Sequence, residues 1–167
     1  ITDFIHFEEA QMRLVLRVLL VLTVPLVLTM TMVRLVTMPW YPAWEYSRSG
    51  FPPDPLGMAR AERLRLARLS IHFLNLPRGS GLLDDLRLPD GTVAYNAREL
   101  GHMEDVKAVY DQLTTLALVA LLLALLVGWV LARRWGAPVL LGALSDGGLL
   151  TLSLLLLLGV WMLVGFN

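Results

Sequence analysis

Three long apolar runs alternate with polar chain, and one polar segment of about seventy residues separates the first run from the other two. The runs cover Leu14–Met38, Leu113–Leu131 and Leu140–Val164. About 20 apolar residues in a helix suffice to cross a bilayer, so each run predicts one membrane helix. Arg13 and Arg17 mark the start of the first, and Trp40, Tyr41 and Trp44 crowd past its end, where interfacial aromatics belong. Pro25 lies inside it, which membrane helices tolerate. Arg34 is close enough to the aromatic end to snorkel. A cleavable signal peptide would have a shorter apolar core followed by a small-residue site, and none precedes Trp40. Residues 1–13, with Asp3, Glu8, Glu9 and Arg13, read as an interfacial lead-in, and His6 as a solvated bystander.

The polar segment, 39–112, changes character along its length. YSRSGFPPDPLGM is a constrained loop, because Pro52, Pro53 and Pro55 each fix a torsion and lack a donor. A helix is expected from about Ala59 to Leu74. Leu64, Leu66, Ala67, Ile71 and Leu74 form its apolar stripe, opposed by Arg60, Glu62, Arg63, Arg65 and Arg68. Pro77–Gly81 breaks it, and LRLPDGTVAY reads as a tight hairpin turning at Asp90–Gly91. YNARELGHMEDVK then starts a helix that leads into the second apolar run with no turn signal. Glu104 and Lys107 in it are spaced as an i,i+3 pair.

Arg133 and Arg134 close the second membrane helix, and residues 133–139, with Gly136 and Pro138, make a short turn. Asp146 lies inside the third, at an interface or facing another helix, beside Gly147 and Gly148. Arg13, Arg17, Arg133 and Arg134 all belong on the cytoplasmic side by the positive-inside rule. The expected layout is therefore a multi-pass protein with a cytoplasmic N-terminus. Residues 1–38 carry the lead-in and first span, 39–112 an extracytoplasmic cap, 113–132 the second span and 140–167 the third. The chain opens on Ile1 and stops at Asn167 directly after an apolar run, so it reads as a fragment of a slightly longer protein.

Composition agrees with this all-α membrane class: 56% of residues are hydrophobic. The net charge of zero offers no basic excess to release counterions, which argues against a nucleic-acid partner. With no cysteine there is no disulfide, thiol nucleophile or Cys-ligated zinc.

The chemistry concentrates on one helical face. Glu99, His102 and Asp105 are three residues apart, so an imidazole is flanked by two carboxylates. Histidine suits general-base work near neutral pH, and a carboxylate can orient the ring. No HExxH spacing is present and no second histidine shares the face, so no metal site is expected. The same residues also suit a solvated helix outside a membrane. Taken alone they name no reaction.

The order YSRSGFPPDPLGM, AERLRLARLSIHFLN and LPDGTVAYNARELGHMEDVK resembles the lipoprotein intramolecular transacylase (Lit) family of bacterial membrane proteins. The resemblance covers essentially the whole chain, and Asn96–Lys107 is its most specific part. It implies an acyltransferase of the bacterial cytoplasmic membrane, with a diacylglyceryl lipoprotein as substrate, membrane lipid as surroundings and no cofactor. An acyl chain would move from the glyceryl ester to the α-amine of the N-terminal Cys, giving a lyso-form N-acyl lipoprotein. His102 matches the family's loop histidine and would be the general base. Tyr46, Arg63, Arg98, Glu99 and Asp105 match motif positions that would orient the base or grip the headgroup. The family has a fourth membrane helix and a further histidine beyond the third. Met58 and Gly101 stand where an aromatic and a larger residue are usual. The alternative is a non-enzymatic envelope protein whose cap binds lipid or a partner. A third reading, an acyl hydrolase, would use the same base on water.

Overall fold

In the computed structural model, residues 2–55, 57–77 and 81–165 are described, with side chains from His6 onward. Among the described residues five helices follow in order: α1 (Thr2–Val36), α2 (Trp40–Ser47), α3 (Arg60–Asn75), α4 (Ala97–Trp135) and α5 (Ala137–Gly165). No strand occurs among the described residues, which makes the fold all-α. Three of the helices, α1, α4 and α5, are long and apolar enough to cross a membrane. The lead-in expected at 1–13 is helical from Thr2 and continuous with the first span. The turn expected at 133–139 is tighter than that, since α4 runs to Trp135 and α5 starts at Ala137. Gly136 adopts φ +88° and donates its N–H to Ala132 O, ending α4 as a left-handed cap before α5 begins.

The chain divides into two compact units, 1–31 with 114–167, and 32–113. In the first, Leu20, Val127, Leu131 and Ala143 form a buried core, against which Leu16, Val21, Ala124, Trp135, Val139 and Leu140 pack. A Cβ on Gly147 would stand 2.6 Å from Val24 Cβ, so only glycine lets α5 approach α1 this closely. Gly148 meets nothing. Asp146 faces another helix: Arg17 donates to Asp146 Oδ2 from Nη2 at 2.6 Å and from Nε at 3.2 Å. Beyond Thr151, every described side chain of α5 is exposed, including Leu156, Trp161 and Leu163. So much leucine cannot stay in water, at about 25 cal/mol per Å² of apolar surface, and hydrocarbon must cover it.

The second unit is held by polar contacts as well as packing. Arg34 does more than snorkel: its Nη1 donates to Tyr110 Oη (2.6 Å) and to Asn75 Oδ1 (3.2 Å). Asn75 in turn donates to Thr37 O at 3.0 Å. Arg65 of α3 bonds Glu62 and also donates to Arg87 O, joining α3 to the hairpin. That hairpin is narrower than the sequence suggests, with a single bridge between Arg87 and Val93. Its turn centres on Pro89–Asp90 rather than Asp90–Gly91, because Gly91 N–H donates to Leu88 O and Leu88 N–H to Thr92 O. Gly91, at φ +84°, is the left-handed bulge residue that follows a type I turn. The break expected at Pro77–Gly81 lies partly outside the described residues.

Candidate active site

Helix α4 begins where the chemistry begins. Asn96 is its N-cap: Asn96 Oδ1 accepts the N–H of Arg98 and of Glu99, both at 3.0 Å. Glu99 Oε2 reaches back to accept the Asn96 N–H at 2.8 Å. This is a reciprocal capping box, which meets helix donors that would otherwise have no partner. Its signal stands in the sequence as N-A-R-E. The three-residue spacing from Glu99 to His102 competes with that signal for the same carboxylate, and the cap takes it.

Immediately above the box lies an open groove of about 680 Å³, lined by Ala94, Tyr95, Asn96, Arg98, Glu99, His102 and Met103. His102 is exposed in it, and among the described residues its ring makes no hydrogen bond. The expected triplet is thus only partly assembled. Glu99 lines the groove but is engaged at the cap, and Asp105 is exposed outside the groove lining. Arg98 shares the groove, where its side chain makes no hydrogen bond or ion pair among the described residues. Gly101 has open space around its Cβ direction, so its small size serves no packing need.

Tyr46 and Arg63 come together elsewhere. The Tyr46 and Phe51 rings lie 4.1 Å apart, and the Arg63 guanidinium sits over both, 5.7 Å and 4.8 Å from their centroids. Arg63 also donates to Pro52 O at 2.9 Å. These contacts fix the proline-rich loop to α3. A second recess of about 390 Å³ opens beside them, lined by Pro53, Asp54, Met58, Arg60 and Arg63 among others. No residue lines both recesses.

Lys107 departs furthest from its expected place. It does not pair outward with Glu104. It is fully buried, and its ammonium donates to Leu76 O (2.6 Å), Leu74 O (3.1 Å) and Asp111 Oδ1 (3.4 Å). It also lies 5.7 Å from the centre of the buried Phe73 ring. The last carbonyls of α3 have no partner within their own helix, and a cation is favoured there.

Three helices long and apolar enough to cross a membrane, with an exposed imidazole and an arginine in the first turns of α4, define an all-α integral membrane protein. The model of the family described as "Lipoprotein intramolecular transacylase Lit" matches residues 18–167. The chain belongs to this family of bacterial membrane acyltransferases. An uncharacterized protein of Aquifex aeolicus (strain VF5) is 45% identical over 64 residues, which is 38% of this chain and 30% of that protein. The chain therefore matches less than a third of that relative's length. No solved structure matches.

Proposed function

We propose that this protein transfers an acyl chain within a diacylglyceryl lipoprotein, from a glyceryl ester to the α-amine of the N-terminal Cys. The observation that carries the reading is the family match over residues 18–167, with His102 standing in an open groove that Arg98 shares. In this reaction the amine nitrogen attacks the ester carbonyl, a C–N bond forms and the C–O bond to glycerol breaks. His102 takes the amine proton as the tetrahedral intermediate forms and returns it to the departing glyceryl oxygen. Arg98, the cation lining the same groove, stabilises the oxyanion. Both reacting groups belong to one molecule, so holding them in attack geometry supplies much of the rate. Asp105, Tyr46 and Arg63 lie outside this groove, and they take the roles of headgroup contact and loop support. The site faces away from the cytoplasm, with residues 39–112 outside and the N-terminus inside.

The test is mass spectrometry of a lipoprotein's N-terminal peptide from cells that lack other N-acylation. Cells expressing the protein are expected to yield the N-acyl, lyso-glyceryl form, and His102→Ala cells the unmodified diacylglyceryl form. Undiminished product from folded, inserted His102→Ala protein would remove His102 from the mechanism. Free fatty acid in place of amide would mean hydrolysis rather than transfer.

A further inference from the structure

We infer that Lys107 is a positioning residue for His102, acting through the end of α3. The inference rests on the transacylase reading for its functional consequence, and on geometry for the rest. Two parts of the groove are tied to the same helix. Tyr95, which lines the groove, shares a hydrogen bond of 3.0 Å between its hydroxyl and Ser70 Oγ on α3. His102 is carried by α4, and α4 is tied to α3 through Lys107, whose ammonium bonds the carbonyls of Leu74 and Leu76. Ser70 and Leu74 are one helical turn apart on α3. The last two turns of α3 are thus the common reference from which Tyr95 and His102 are both hung.

The rotation follows from helical periodicity. At 3.6 residues per turn, His102 and Lys107 lie about 140° apart around α4. Turning Lys107 into α3 therefore turns His102 away from it, toward the groove, which is where the exposed ring is found. The lysine is not available for acid–base work on a substrate. It is 0% exposed, and the two carbonyls and Asp111 account for its three donors. Asp111 and the Phe73 ring complete the socket and make the ammonium's place specific.

The chain has no cysteine, so paired spin labels can be placed cleanly at Arg68→Cys on α3 and Val109→Cys on α4, both exposed positions. Distance distributions between them, and transacylation per folded protein, are measured for the wild type, Lys107→Met and Lys107→Arg. In Lys107→Met the distance distribution is expected to broaden or shift. Its kcat is expected to fall by about 10²-fold, the scale of an ångström misplacement. KM should stay within about twofold, since loss confined to the transition state leaves ground-state binding unchanged. Lys107→Arg, which keeps a cation and its donors, is expected to recover part of kcat. If the Met protein does not fold, Lys107→Gln, which keeps two N–H donors, takes its place. An unchanged distance distribution, or an unchanged kcat in a protein whose helices have shifted, overturns the inference. A wild type with no transacylation defeats the transacylase reading instead, and the distance arm then decides the clamp alone.

Discussion

The Glu99 carboxylate accepts the backbone N–H of Asn96 at 2.8 Å, which places a residue aligned with His102 in the service of the helix start. Its charge and its hydrogen bond are separable. Glu99→Gln keeps a carbonyl oxygen at the cap and is expected to unfold within about 0.5 kcal/mol of the wild type, whereas Asn96→Ala is expected to cost about 1 kcal/mol. Thermal unfolding in detergent measures both. Transacylation by Glu99→Gln should stay near the wild-type rate. A large loss at unchanged stability would return the carboxylate to the histidine.

Arg17 and Asp146 form an ion pair within the apolar helices, with side chains 43% and 46% exposed by the protein itself. In a membrane that exposure meets lipid or headgroups. Asp146→Leu leaves the guanidinium without its partner and is expected to destabilise the helices by about 2–3 kcal/mol. Arg17→Leu together with Asp146→Leu should recover most of the loss, because the pair replaced by apolar groups leaves no unmatched charge. Unfolding of the two single variants and the double variant closes a cycle whose coupling energy reports the pair. Additive losses would show that the pair contributes nothing.

Acid weakens the polar unit through two carboxylates. The hydrogen bonds from Arg65 hold Glu62 below its ordinary pKa, and the Thr92 hydroxyl and N–H hold Asp90 below its own. A depressed folded pKa contributes stability that is present above the unfolded value, about 4, and is lost as pH falls through the folded value. Unfolding followed from pH 7 to pH 3 should therefore show the wild type losing more stability than Glu62→Gln or Asp90→Asn. Equal slopes would show that neither bond differs between folded and unfolded chains.

The three spans are legible in the sequence because twenty or so apolar residues in a row have no other stable home. The uninterrupted passage from the polar helix into the second span is equally plain, since no breaker separates Asn96 from Leu113. Pro89, Asp90 and Gly91 mark the hairpin, although its turn centre lies one residue earlier than the Asp-Gly pair suggests. A G1 bulge puts the glycine after the type I turn, so the dipeptide alone does not reveal its register.

Periodicity puts Glu99, His102 and Asp105 on a common face, and it places that face on a helix outside the membrane run. What each group touches is a matter of tertiary packing. Which way a helix turns about its axis depends on what lies across from it, and local spacing carries no record of that. So Glu99 goes to the cap, Lys107 goes inward to the end of α3 instead of outward to Glu104, and Asp146 finds Arg17 from a position 129 residues away. A buried ammonium and a paired charge among apolar helices are set by desolvation, which becomes decisive only when another element arrives to exclude the water.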